Sequence, residues 1–376
     1  MKVIKIKTEY IDPESRLALK RITTTNGEFL NRKLAVCNSM FSCEKDRMIY
    51  GKPIFNSPFQ TFHLRYVRSM GEWDFLGLKK AKEHADVNDR IFIPYKQRNE
   101  PQSIELKWAE SDSDFFDFLT KHDIDNVPYP IPVNATAEEW IKKRTELKKH
   151  LKEGQRIVPI FSSKHDIENF PKLINEEFKE CGLIGINCYE LSSVIERINL
   201  SILRSSNSNL IVGEDCPLII YFDFPRILTR QSNVAGCFAY NCFAGDVFSE
   251  KAYFIQNMNK EAIANMKQKK PEDYYYYDPK QKGFNKSSQQ AGWYGADLTR
   301  NSMRNINVDE GLTGYKTIKW LSYNYLQDDF DNINTLLAAK EKVLKHILDY
   351  SRWGVFWRKN IEVPQEQKQQ RSLNEF

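Results

Sequence analysis

Residues 121–163, KHDIDNVPYPIPVNATAEEWIKKRTELKKHLKEGQRIVPIFSS, constrain the fold more than any other stretch, because they read as strand, loop, helix and strand in one run. The short apolar edge before Asp125 is the expected first strand. Pro128, Pro130 and Pro132, which lack N–H groups, predict a loop after it. Thr136 ahead of Glu138 and Glu139 predicts a helix N-cap with acids in the first turn, and Gly154 its end. RIVPIF (156–161) is the second strand. A βαβ unit joins parallel strands and puts working residues at their carboxyl ends. Asp125, Ser162 and Ser163 are expected at those ends.

The same alternation continues downstream. Residues 166–182 read as a helix closed by Gly182, and LIGINCYEL (183–191) is a nearly all-apolar strand suited to burial on both faces. SSVIERINLSILRSS (192–206) is an amphipathic helix, PLIIYFDF (217–224) a second buried-type strand carrying Asp223, residues 225–245 helix-like, and DVFSEKAYF (246–254) a further strand. Upstream, residues 71–85 are helical in pattern, RIFIPY (90–95) is a strand, and residues 111–124 are a capped helix with Phe115, Phe116, Phe118 and Leu119 as core. Units in series predict an all-parallel sheet, and with no glycine-rich phosphate loop after the first strand a closed TIM (β/α)8 barrel fits better than an open sheet. The 376 residues accommodate it.

Residues 1–40 alternate as a β-hairpin or two around Asn26-Gly27, either closing the bottom of the barrel or standing as a flap. The barrel with its hairpin is expected over 1–256. Residues 257–310 turn polar and rich in Lys and Tyr, an insertion that suits either phosphate contacts and base stacking or an ordinary surface loop. Closing helices, as a pair, are expected within 311–360, and a disordered tail over 361–376.

Composition excludes some classes. The chain has no run of 18 apolar residues, so no spanning helix and no membrane partner is expected. Seven cysteines, odd in number and without CxxC, read as reduced thiols of a cytoplasmic protein. The net charge of +5 permits a nucleic-acid partner without demanding one.

Asp125 followed by Pro128-Tyr129-Pro130 and a charged helix resembles the tRNA-guanine transglycosylase superfamily. NSPFQ (56–60) is similar to that family's Asp-Ser-Gly-Gly-Phe-Gln turn, Gly185-Ile186-Asn187 to its base-binding turn, and AGDVFSEKAYF to the strand bearing its nucleophile. The resemblance implies a TIM barrel that exchanges guanine in DNA or tRNA for a 7-deazaguanine, through a covalent glycosyl-enzyme formed by a carboxylate. It further implies that the target base leaves its stack. On these positions Asp246 or Glu250 would attack the sugar and Asp125 would hold the purine. Asn56, Ser57 and Gln60 would line the base, Phe161 and Ser162 would face it, and Gly185 would let it approach the backbone. The chain departs from the family where Asn56 replaces an acid, Phe161 a glutamine, and Tyr323 a zinc-ligating histidine. The three family zinc cysteines are absent, so no metal or other cofactor is expected. Two functional classes fit: a divergent transglycosylase, such as those inserting 7-deazaguanines into DNA, or an inactive paralogue serving as a nucleic-acid-binding or partner subunit.

Overall fold

The structure, a computed structural model, describes residues 3–15, 17–37, 48–49, 52–53, 57–67, 72–75, 90–93, 108, 111–122, 124–162, 182–187, 213–214, 218–224, 245–250, 275–278, 283–286 and 314–343. Strands Val3–Ile11 (β1), Ala18–Thr24 (β2) and Gly27–Leu30 (β3) form an antiparallel meander. Its second turn is the one expected from Asn26-Gly27, with Gly27 at φ +137 in the region that glycine tolerates. The chain then runs through Lys33–Cys37 (β4), the short pair Met48–Ile49 (β5) and Lys52–Pro53 (β6), Gln60–Val67 (β7), Glu72–Phe75 (β8) and Arg90–Ile93 (β9). Helix Asp112–Lys121 (α1), strand Asn126–Pro130 (β10) and helix Ala137–Leu147 (α2) follow. Next come Arg156–Ser162 (β11), Leu183–Asn187 (β12), Gly213–Glu214 (β13), Leu218–Phe224 (β14) and Val247–Glu250 (β15). A hairpin of Tyr275–Asp278 (β16) and Gly283–Lys286 (β17) lies inside the polar 257–310 segment, and Gly314–Ala338 (α3) is a long helix.

The fold is mixed α/β, and its main sheet is parallel. Strands β10, β11, β12, β14, β15, β4 and β7 pair side by side in that order, and β9 joins β7, also in parallel. The outer half of β7 pairs with β8 antiparallel, and Cα atoms of β9 come within 8 Å of β10. Strand β13 adds to the edge of the N-terminal meander.

Arg32, at φ +61, ends the meander, and β4 beyond it enters the parallel sheet. Within the range expected for the closing helices, residues 314–338 form one continuous helix, and residues 344–360 lie outside the described residues. Two expectations change. Glu72–Phe75 is strand rather than helix, because Leu64, Arg65, Tyr66 and Val67 supply cross-strand partners that outweigh its local helical pattern. The Pro128–Pro130 stretch is itself the strand, not the loop after one. Ile131 donates its N–H to Ile160 at 2.8 Å, so odd-numbered residues of this segment turn their backbone groups toward β11 and residues 128 and 130 turn theirs away. A proline there removes no donor from the β10–β11 ladder. The helices expected over 166–182, 192–206 and 225–245 lie outside the described residues except for Gly182 and Gly245, and the tail 361–376 lies wholly outside them.

Two apolar layers sandwich the parallel sheet. On one face Val158, Ile160, Leu183, Leu218, Ile220, Phe222, Val247 and Ala35 form a core with Phe59 and with Val3, Ile6 and Ile22 of the meander. On the other face Tyr221 stacks on Phe248 with ring centroids 5.7 Å apart, and Phe248 meets Phe330 of α3 at 5.4 Å. Tyr129 of β10 packs on Trp140 of α2 and Phe115 of α1, while its hydroxyl donates to Asp112 at 2.6 Å. Helix α2 starts as its sequence predicts, with a capping box between Thr136 and Glu139. No described helix is long and apolar enough to cross a membrane.

Candidate functional site at the carboxyl edge of the parallel sheet

Side chains alternate along a strand, so residues two apart share a face. Along β11 and β12 the inner face runs Val158, Ile160, Ser162 and Leu183, Gly185, Asn187, and along β15 it runs Val247 and Ser249. The register aligns Ser162 with Asn187, Asn187 with Phe222, and Ser249 with Ala35. The apolar core therefore ends, at the carboxyl edge, in a layer holding three polar side chains. Ser162, Asn187 and Ser249 are 7%, 5% and 0% exposed. Burial of polar groups is sustained only where they are hydrogen-bonded, which gives this layer fixed donors and acceptors. Beside it the β14–β15 ladder shifts: Tyr221 pairs with Phe248 and Phe224 with Glu250, so Phe222 and Asp223 together face Ser249. A bulge of this kind interrupts the strict alternation and recurs beside active sites. Glu250 is the last residue of β15, and Asp223 the penultimate residue of β14, both at this edge.

Asp125 and Asp246 stand at the opposite end. Asp125 precedes β10, and its carbonyl accepts the N–H of Arg156, the first residue of β11. The sequence reading placed it after a strand; because the strand begins at Asn126 instead, Asp125 marks an amino end. Asp246 precedes β15 and is 1% exposed. Its Oδ2 accepts from Lys20 Nζ at 2.8 Å and from the Ile219 N–H at 2.9 Å, and its Oδ1 from Asn31 Nδ2 at 2.9 Å. Lys20 is itself fully buried. A carboxylate whose lone pairs are held by three donors, below an apolar core, has no access to a sugar at the carboxyl edge. Asp246 is a structural anion.

The other expected residues separate as follows. Gly185 is in the inner core, where an added Cβ would lie 2.6 Å from Phe222 Cε2 and 2.9 Å from Ile160 Cγ1. Its missing side chain makes room for the Phe222 ring, not for a ligand against the backbone. Phe161 is fully buried in register with Ile186, on the face opposite Ile160 and Ser162, so it offers no stacking surface to the inner layer. Ser57 is buried, its Oγ accepting from the Phe59 N–H at 3.2 Å in a local turn. Gln60 opens β7, and Asn56 and Ser163 lie outside the described residues. The structure thus brings Ser162 and Glu250 to one edge, with Gly185 beneath, and keeps Asp125 and Asp246 apart from them.

Lys20 escaped the sequence reading, and Asn187 entered it only as the last residue of Gly185-Ile186-Asn187. Asn187 is signalled by the alternation of LIGIN, which continues the inner face of Leu183 and Gly185. Lys20 is signalled by its place between Ala18 and Ile22 on the apolar face of β2, a position that requires a buried anion as partner. Among the described residues no three His, Cys, Asp or Glu side chains gather in one place. Tyr323 is buried in α3. No protein-family model and no curated protein matches this chain.

Proposed function

We propose that the eight parallel strands close into a (β/α)8 barrel through β9 and β10, and that its carboxyl edge exchanges a guanine base in DNA or tRNA for a 7-deazaguanine. Support for closure comes from the circular order of pairing, in which β15, the last of these strands, lies beside β4, the first. The meander contributes Val3, Ile6 and Ile22 to the inner core at the end where Lys20 meets Asp246, and so plugs the amino end. A barrel plugged there admits ligands at the carboxyl end. The observation that carries the functional reading is the buried polar layer of Ser162, Asn187 and Ser249 at the carboxyl edge, where Glu250 follows Ser249 as the last residue of β15. Asn187 is of the side-chain type, with amide donors and a carbonyl acceptor, that matches a purine edge.

In this reading the Glu250 carboxylate attacks the sugar C1′ as the C1′–N9 bond breaks, and guanine leaves as its N9 anion, which takes a proton from solvent water. The N9–H of the 7-deazaguanine gives its proton to the hydroxide so formed as N9 displaces Glu250, restoring the carboxylate. The β16–β17 hairpin, where Tyr275 and Lys286 are register partners, supplies a platform for the nucleic-acid strand. The test is incubation with guanine-labelled DNA and tRNA plus a 7-deazaguanine. Label release, with a covalent adduct lost in Glu250→Gln, is expected; an adduct surviving that substitution, or no release from either nucleic acid, refutes the reading. A second reading, a non-catalytic nucleic-acid-binding or partner subunit on the same fold, is favoured by the distance of Asp125 and Asp246 from the carboxyl edge. Binding without release would establish it.

A further inference from the structure

We infer that Asp246 is a positioning residue: its buried clamp with Lys20 and Asn31 sets the register in which β15 pairs with β4, and thereby where Glu250 stands. The role of Glu250 rests on the proposed function; the register clamp rests on the geometry of the seam alone. At the seam Val247 pairs with Lys33, Phe248 with Leu34 and Ser249 with Ala35. Both strands are buried on both faces there, through Val247 and Phe248 of β15 and Leu34 and Ala35 of β4, and a slip of two residues would keep every side chain on its own face, so facing alone does not oppose it. Directional bonds do. The Asp246 carbonyl accepts the Lys33 N–H at 3.0 Å while its own N–H donates to the Ile219 carbonyl at 2.8 Å. Its carboxylate at the same time reaches Lys20 on β2, Asn31 two residues before Lys33, and the Ile219 backbone. Asn31 is fixed in turn, because its carbonyl accepts Asn334 Nδ2 at 2.7 Å and Asn334 Oδ1 accepts Arg32 Nη1 at 2.8 Å. One carboxylate thus joins the meander, β14, β15 and the approach to β4. In any other register at least one buried charge loses its partner, the arrangement by which buried polar groups specify registry.

The test is the full-length double variant Lys20→Met/Asp246→Val, which removes the carboxylate's bonds to Lys20, Asn31 and the Ile219 N–H without leaving a buried charge alone. Amide exchange over 33–37 and 245–250 is expected to accelerate about tenfold, while 126–130 and 156–162 keep their protection. Guanine release is expected to lose about a hundredfold in kcat with KM held, the signature of a displaced reacting group. Should this variant fail to fold, Lys20→Met/Asp246→Asn keeps the shape and part of the bonding, and the same two segments are expected to exchange faster. Uniform acceleration across all four segments, or none at 33–37 and 245–250, overturns the inference. Wild-type protein that releases no base from any nucleic acid overturns the role of Glu250 instead, and the exchange pattern then still decides the clamp.

Discussion

Gly185→Ala separates two readings of one glycine. If Gly185 exists to let a base approach the backbone, a methyl group should weaken binding and leave the fold intact. The geometry predicts the reverse. An alanine Cβ would lie 2.6 Å from Phe222 Cε2 and 2.9 Å from Ile160 Cγ1, whereas carbon atoms in contact settle at about 3.5–4 Å. The ring must therefore shift by about 1 Å. Phe222 and Ile160 are both buried in the inner core, which is close-packed and has little space to receive them. Overpacking of this kind costs about 1–3 kcal/mol. Urea unfolding followed by far-UV circular dichroism is expected to show a lower midpoint at unchanged slope. Phe222→Leu removes the Cε2 atom that the methyl meets, so Gly185→Ala/Phe222→Leu should be less destabilised than the sum of the single changes, a coupling of about 0.5–3 kcal/mol. An unchanged midpoint in Gly185→Ala, or strict additivity in the cycle, would refute the packing argument and return Gly185 to the ligand.

Two further outcomes are expected from the α1–α2 side of the sheet. Tyr129→Phe removes a donor to Asp112 that Lys143 also contacts at 2.6 Å; because Asp112 keeps that cation and is partly exposed, the loss is expected near about 1.5 kcal/mol, the low end for a charge-assisted bond, read from the urea midpoint. Thr136→Ala dismantles the capping box with Glu139, at about 1 kcal/mol, and Thr136→Ser should restore the midpoint, since the hydroxyl rather than the methyl accepts the Glu139 N–H.

Much of the parallel sheet was legible because it depends on local pattern. RIVPIF, LIGINCYEL and PLIIYFDF are apolar on both faces, which only a sheet covered on both sides rewards, and β11, β12 and β14 are those strands. The α2 cap was legible for the same reason: Thr136 and Glu139 interact within one turn. The 126–130 strand misled because a proline rule drawn from the residue alone cannot tell which side of a strand its nitrogen faces. Pro128 and Pro130 sit where no β11 ladder bond is needed, so the strand forms and Asp125 falls at its start. The Glu72–Phe75 strand was hidden because its partners arrive from β7, not from its own neighbours.

The acids show most clearly where sequence stops. Asp246 and Glu250 are four residues apart in one strand segment, and nothing between them in the chain says which is structural. The answer comes from Lys20, 226 positions away, whose ammonium meets Asp246 at 2.8 Å. A lysine on the apolar face of β2 needs a buried partner for its ammonium, and Asp246 is that partner. Removing either partner alone would strand the other at about 3–5 kcal/mol. An aspartate under that obligation cannot also form and release a covalent bond to a sugar without unpairing Lys20 at every turnover. For the proposed base exchange, buried pairing at the amino end therefore argues against Asp246 as the attacking group, and among the acids of the β15 segment the candidate that remains is Glu250.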